Sequence, residues 1–412
     1  MSDYLKFDPT NPPPLLMTGE PGSFAHRAMT TRKPAVIENI LKDHEDRYPV
    51  GFKLALQALN DELVEDKLIQ PLKTTAPDGP DWAVAWRPHQ NDTWLDCPWY
   101  FAESFFYRRI LEAVDYFGQG QWAGVDPYLP RKKAELKSDA PWHILAAALA
   151  GNPTNSTDSL QRLLHHCLWG NRVDLSYTKI TEQVGRAIDL TGEADNLLVD
   201  DTGAVLAHLH NIRTAGNPEP RIDFICDNAG TELLMDLALA DFLLRFGWVT
   251  HIVFHVKAYP TYVSDTTAPD VDMAIAAMNT QQATVLPTLA NRLAAHRKEN
   301  RLHIQPDIFW NSSRFFWEMP PTLQRKLARS QLLIFKGDAN YRRLLGDSRW
   351  PPTVPIADAV PYLPTPFVAL RTMKSDPVVG LQPGQAETLE RADPEWRING
   401  KRGMIQANLD PI

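Results

Sequence analysis

Arg221-Ile-Asp-Phe-Ile-Cys-Asp-Asn-Ala-Gly-Thr-Glu232 is the segment that decides the fold. Ile222, Phe224, Ile225 and Cys226 form an apolar run of strand length, as expected of a buried parallel strand. Asp227-Asn228 ends it and Gly230 follows. Leu233, Leu234, Leu237, Ala238, Asp241 and Leu244 then recur at helical spacing, with Gly247 at the stop position. A strand that enters a helix through a polar turn places that turn at the carboxyl edge of a sheet, where open α/β sheets bind ligands. The adjacent carboxylate and carboxamide are hard oxygen donors of the kind magnesium and manganese prefer. Read alone, the same residues also serve as a helix cap (Asn228) and as complements to the helix dipole (Asp227, Glu232).

Working outward, strand candidates alternate with helix candidates after residue 195. The strands fall at 196–200, 221–226, 248–256, 303–309, 331–335 and 366–370, and the helices at 231–246, 271–298, 320–329 and 339–345. That alternation predicts a mainly parallel sheet covered by helices. Before residue 190 the pattern is helical: 23–46, interrupted at Pro34, then 52–66, 93–117, 130–150, 157–169 and 178–190. Two portions are expected, a mostly helical 1–190 and an α/β 191–412. Pro71 to Pro80 reads as a turn-rich break, and the six prolines of 351–366 as a stiffened connection. The aromatic-dense segment around Phe105-Phe-Tyr-Arg-Arg109 reads as core. Its arginine pair is either an ordinary surface salt-bridge partner or an anion site.

Composition narrows the function classes. The chain has 412 residues, is 44% hydrophobic and 22% charged, and carries a net charge of −8 without a basic run. Nucleic-acid binding is not expected of such a chain. No apolar run is long enough to span a bilayer. The start lacks a basic segment followed by an apolar one. Cys97, Cys167 and Cys226 show neither metal spacing nor disulfide logic. A cytoplasmic protein without nucleic-acid or membrane partners is expected.

Three further strand ends carry polar clusters. Asp265 follows the 248–256 strand in Val263-Ser-Asp-Thr-Thr267. Lys336-Gly-Asp-Ala-Asn-Tyr-Arg342 follows the 331–335 strand, with Gly337, Asp338, Asn340 and Tyr341 at a helix start suited to an anion. Arg371-Thr-Met-Lys374 ends the 366–370 strand, where a lysine can meet a phosphate as a point charge. His251 and His255 lie roughly 13 Å apart along a strand, too far to share an ion. Gly118 to Gly124 follows a helix and lacks the context of a nucleotide loop.

These four motifs, with Phe105 to Arg109, resemble the damage-control phosphatase family of metal-dependent sugar-phosphate phosphatases. The Arg-Thr-x-Lys element resembles the branch also called acidic-residue methyltransferase. The resemblance implies an α/β/α sandwich with a helical amino-terminal portion. It also implies one divalent cation (Mn²⁺, Mg²⁺, Co²⁺ or Ni²⁺) on Asp227, Asn228 and Asp265. Catalytic roles would fall to those three and Lys374, and substrate contacts to Glu232, Lys336, Gly337, Asp338, Asn340, Tyr341 and Arg371. The implied substrate is a small phosphorylated metabolite such as fructose 1-phosphate or fructose 6-phosphate. Two rival functions stay open on the sequence: carboxyl methylation with S-adenosylmethionine, and sugar-phosphate binding without turnover.

Overall fold

The computed structural model describes residues 7–150, 154–170 and 196–410. Seven strands form one sheet: β1 (Leu197–Asp200), β2 (Arg221–Ile225), β3 (His251–Lys257), β4 (Leu302–Asp307), β5 (Leu332–Lys336), β6 (Phe367–Thr372) and β7 (Gly403–Asn408), in the order β1-β7-β6-β5-β2-β3-β4. The run β6-β5-β2-β3-β4 is parallel throughout. β7 pairs antiparallel with β6 and parallel with β1, so these two outer strands run against the other five. The sheet is therefore mainly parallel, as the alternation predicts. β7 escapes the sequence reading because its one long apolar pair, Met404-Ile405, is followed by the polar Gln406, itself buried on Tyr341 and Val379.

Strand periodicity explains why helices cover both faces. In β5, Leu332 and Ile334 join one apolar core while Leu333 and Phe335 join the other. The first core takes in the helices Ala140–Ala148, Thr157–Trp169, Thr231–Arg245 and Val285–Lys298. The second lies under Gly337–Leu344 and the proline-stiffened segment, which holds one short helix, Ile356–Ala359. A third core is built from the amino-terminal helices and takes in Val263 of the loop after β3, with Tyr262 packed against it. No helix among the described residues is long and apolar enough to cross a membrane.

Several helices differ from expectation for local reasons. The stretch 23–46 is one path, Phe24–Arg27 and Lys33–Asp43 joined by a π-helical turn at Ala28–Arg32. That turn lets the chain reach Pro34 without breaking. Residues 130–150 and 271–298 each divide into two helices. Thr202–Thr214, Gln385–Ala392 and Gly79–Trp86 are helices the sequence reading omits, the last starting at Gly79 inside the expected break. The helix expected at 178–190 lies outside the described residues. Arg108 and Arg109 are neither surface residues nor an anion site. Arg108 is clamped by both oxygens of buried Asp78, and Arg109 pairs with Glu62 and the Gln70 carbonyl.

The amino-terminal helices attach beside the end of β2. Glu135 accepts bonds from the backbone N–H and hydroxyl of Thr231, at 2.9 and 2.7 Å, capping the helix that starts there. Gly230 precedes it with φ +71° and ψ −136°, and a Cβ there would meet the Glu135 carboxylate. Gly230→Ala is expected to cost about 1–3 kcal/mol in denaturant unfolding. Gly203→Ala, where a Cβ meets open space, is expected to be neutral or stabilising. Equal effects of the two would contradict this reading.

Candidate active site

After β2 the chain builds β3 and β4 on one side, then returns to place β5 and β6 on the other. The carboxyl ends of neighbouring β2 and β5 thus lead away in opposite directions, and a crevice opens between them. Asn340 ties the two ends together, its Nδ2 donating to the carbonyls of Cys226 at 3.1 Å and Lys336 at 2.8 Å.

Asp227 and Asn228 stand at the β2 end, and the loop after β3 is bent back to meet them. Tyr262 and Val263 adopt φ +49° and +68°, a conformation unusual for any side chain and costly for a β-branched one. The strain is held by bonds on both sides. Ala229 N–H donates to Ser264 O and Thr266 N–H to Asp227 O, each at 2.7 Å, and Asn228 and Asp265 form an antiparallel bridge. The Tyr262 hydroxyl meets Ser104 at 2.8 Å while its ring packs on Tyr107. Ser264 then donates to Asn228 Oδ1 at 2.6 Å, and Asp265 carries Lys257 at 3.2 Å. On its other side, Asn228 Nδ2 donates to Asp227 at 2.9 Å and Glu232 at 3.0 Å.

Three carboxylates therefore crowd one buried edge. Burial, then the charges of Glu232 and Asp265, push the Asp227 carboxyl well above its usual range, against the opposing pull of Lys257 and Lys374. A bound cation would relieve this excess of negative charge, and the donor set fits one. Among the described residues no group of three or more His, Cys, Asp or Glu side chains is arranged to hold a metal ion by itself, so a cation here would rest on Asp227 and Asp265 with the Asn228 amide. Two carboxylates and an amide leave coordination positions to water and substrate, as Mg²⁺-type ions require.

The β5 end supplies the facing wall. Gly337 turns the chain at φ +78°. Asp338 is fixed by Arg371 Nε at 2.7 Å and by the Lys374 N–H at 3.2 Å. Asp227, Asn228, Asp265, Asp338 and Lys374 line one cavity of about 90 Å³. Other residues named from the sequence stand behind it. Arg371 is fully buried, holds the turn at Ser375, and lies over the Tyr341 ring, whose hydroxyl bonds Gln406. Lys336 is also fully buried, bonded to Asp236 at 2.9 Å, the Cys167 carbonyl at 2.6 Å and Glu232 at 3.3 Å. Burial and neighbouring Glu232 raise Asp236 to about 7, in spite of Lys336.

The wall opposite comes from residues to which the sequence reading assigns no site role, although Tyr107 and Arg342 stand within motifs quoted above. Trp99, Glu103 and Tyr107 share a face of the helix Trp99–Ala113, and Lys33 and Arg342 join them. Glu103 receives Lys33 on one oxygen and Arg342, at 2.5 Å, on the other. Arg342 also grips Asp347 and stacks 3.5 Å over Trp99. Burial would raise Glu103, but these two cations hold it at about 2. Lys33, the weaker base of the two, is pushed down by burial to about 8. The signal was present: Glu103 is an acid inside an otherwise aromatic segment, four residues from Trp99 and from Tyr107. A larger groove of about 440 Å³ between the helices Ala140–Ala148 and Val285–Lys298 is mostly apolar. Its Asp241 is already held by Arg292 and His296.

The sequence profile of the damage-control phosphatase ARMT1-like domain matches residues 28–389. The chain belongs to this family. Proteins named damage-control phosphatase ARMT1 are similar along nearly their whole lengths. The one from Danio rerio is 31% identical, covering 96% of this chain and 97% of that one. The one from Xenopus tropicalis is 30% identical over 96% and 99%, and the human one 28% over 93% and 96%. A DUF89 family protein from Pyrococcus horikoshii aligns over 92% of this chain and 97% of that one, at 12% identity and a TM-score of 0.48.

Within this member of the damage-control phosphatase family, the two lysines are separable. Lys336→Met leaves Glu232 and Asp236 buried without their cation and is expected to cost about 3–5 kcal/mol of stability. Lys374→Met, at a half-buried position on the cavity wall, is expected to cost under about 1 kcal/mol. Urea unfolding of the two variants checks the split, and equal losses would contradict it.

Proposed function

We propose that the protein is a metal-dependent phosphomonoester hydrolase acting on small phosphorylated metabolites, with sugar phosphates such as fructose 1-phosphate and fructose 6-phosphate as its substrates. The observation that carries this is the meeting of Asp227, Asn228 and Asp265 with Lys374 and Asp338 around one cavity at the switch point of the sheet. The family's phosphatase name supports the same reading.

Asp227, Asn228 and Asp265 would hold one divalent cation (Mn²⁺, Mg²⁺, Co²⁺ or Ni²⁺), which when bound neutralises charge and polarises the phosphoryl group. The Asn228 amide donates through its nitrogen to Asp227 and Glu232 and accepts from Ser264 on its oxygen, so that oxygen, on the Ser264 side, is the atom that would serve the cation. Lys374 meets the phosphate as a point charge and stabilises the oxygens of the transferring group. Asp338 is clamped by Arg371 and cannot swing away, so it presents a fixed acceptor to substrate hydroxyls. Lys336, Arg371, Tyr341 and Asn340 act at one remove, by holding the strand ends and Asp338 in register.

Purified protein with Mn²⁺ is expected to release phosphate from a panel of sugar phosphates. Chelation should abolish release and added Mn²⁺ restore it. Asp227→Ala should lower kcat/KM by at least about 100-fold, since the cation supplies several kcal/mol of the stabilisation. No phosphate from any member of a broad panel would overturn the proposal.

The pH dependence has a defined sign. A phosphomonoester is already a dianion above its second pKa of about 6, so its charge is constant in alkaline solution. Lys33 loses its proton near pH 8, and the cavity wall becomes less positive. KM is therefore expected to rise as pH passes about 8, and Lys33→Arg should remove that inflection. A flat KM profile in the parent protein would contradict the reading.

A further inference from the structure

Glu103 stands between two cations on the cavity wall, and each cation is seated on other partners as well. Trp99, Glu103 and Tyr107 succeed one another at helical spacing along Trp99–Ala113, and all three line the cavity. The Arg342 guanidinium lies 3.5 Å from the centre of the Trp99 ring and donates to both oxygens of Asp347, at 2.7 and 2.9 Å. Lys33 Nζ lies 4.7 Å from the centre of the Tyr107 ring and reaches its hydroxyl at 3.3 Å. Aromatic faces attract cations in their own right. The Glu103 carboxylate spans the gap, accepting from Lys33 on Oε1 and from Arg342 on Oε2.

Two seated cations with one two-oxygen anion between them make an anion site, and a carboxylate of the chain itself fills it. The charge around the cavity gives the consequence. Among the described residues its four cations, Arg32, Lys33, Arg342 and Lys374, are matched one for one by Glu103 and the three aspartates. The lining is therefore formally neutral. A divalent cation adds two positive charges, which one phosphomonoester dianion offsets. A second phosphoryl group would find Lys33 and Arg342 already neutralised and would meet the Glu103 charge.

We propose that Glu103 is a specificity-determining residue: it occupies the anion site of Lys33 and Arg342 and so confines the cavity to substrates with one phosphate, turning bisphosphates away. This rests on the phosphatase reading and adds a charge limit to it. The helix Trp99–Ala113 thereby senses the charge of the substrate, while the sheet edge carries the reacting group. Arg342 belongs to the same helix as Asp338, so Glu103 also ties the amino-terminal portion to the sheet edge. A purely structural role would need that tie and not the selectivity.

The test compares kcat/KM for fructose 1,6-bisphosphate and fructose 1-phosphate at about pH 6.5, where phosphomonoesters are largely dianions and Lys33 of the parent keeps its proton. The parent is expected to favour the monophosphate. Glu103→Gln, of the same shape without the charge, should raise the ratio of bisphosphate to monophosphate about 10-fold, the effect of one charge at close range. Glu103→Asp, which keeps the charge, should keep the ratio of the parent. Calorimetry with inorganic phosphate on the Mn²⁺-loaded protein reads the same charge in both directions: Glu103→Gln should bind it about 10-fold more tightly and Lys33→Met about 10-fold more weakly. Lys33→Met thus carries the test even where Glu103→Gln fails to fold. A parent preference for the bisphosphate, equal ratios in Glu103→Gln and Glu103→Asp, or a phosphate affinity that Lys33→Met leaves unchanged would each overturn the proposal. If the parent binds the two esters but hydrolyses neither, the phosphatase reading fails, and the ratio of their binding constants in the same variants decides for or against Glu103. If the parent binds neither the esters nor phosphate, both fail.

Discussion

Carboxylates concentrated at one buried sheet edge repel one another, and everything around this site answers that repulsion. Asp227, Glu232, Asp236 and Asp265 fall within the reach of two strand ends and the first turns of one helix. Lys336 absorbs the inner pair from beneath, bonded to both Asp236 and Glu232. Lys257 meets Asp265 from β3, and Lys132 of the amino-terminal helices donates to the Asp265 carbonyl and to Asp270. These cations do not bring Asp227 back to its ordinary range. The excess negative charge points into the cavity, which is where a metal ion would offset it.

The same constraint accounts for the strain. Two consecutive non-glycine residues at positive φ persist because three layers of contact enforce them: backbone bonds to the β2 loop, Tyr262 on Ser104 and Tyr107, and Val263 in the apolar core of the amino-terminal helices. The helical portion is thus part of the site, supplying one wall of the cavity and fixing the loop that carries Asp265.

The sheet edge was legible in the sequence because chemistry and topology coincide there. Each of Asp227, Asp265, Asp338 and Lys374 ends or closely follows an apolar run, and an apolar run of strand length is the pattern that survives in one dimension. What the sequence could not separate was cavity wall from support. Lys336 and Lys374 look alike as lysines at strand ends, yet β5 runs through the middle of the sheet and buries the first, whereas the turn fixed by Arg371 leaves the second on the cavity. That Lys33 and Glu103 reach this site was hidden for a different reason. Glu103 lies 124 residues before Asp227 and Lys33 lies 194 before it, separations at which no local spacing carries information about contact. Strand β7 was missed because its polar Gln406 is buried against partners distant in the chain.

The claim on which the functional reading depends is that Asp227, Asn228 and Asp265 hold a single divalent cation. Crystals grown with Mn²⁺ and measured at an energy where manganese scatters anomalously test it directly. One peak about 2–2.5 Å from oxygens of all three residues is the predicted result. A peak held elsewhere, or none at saturating Mn²⁺, would contradict it.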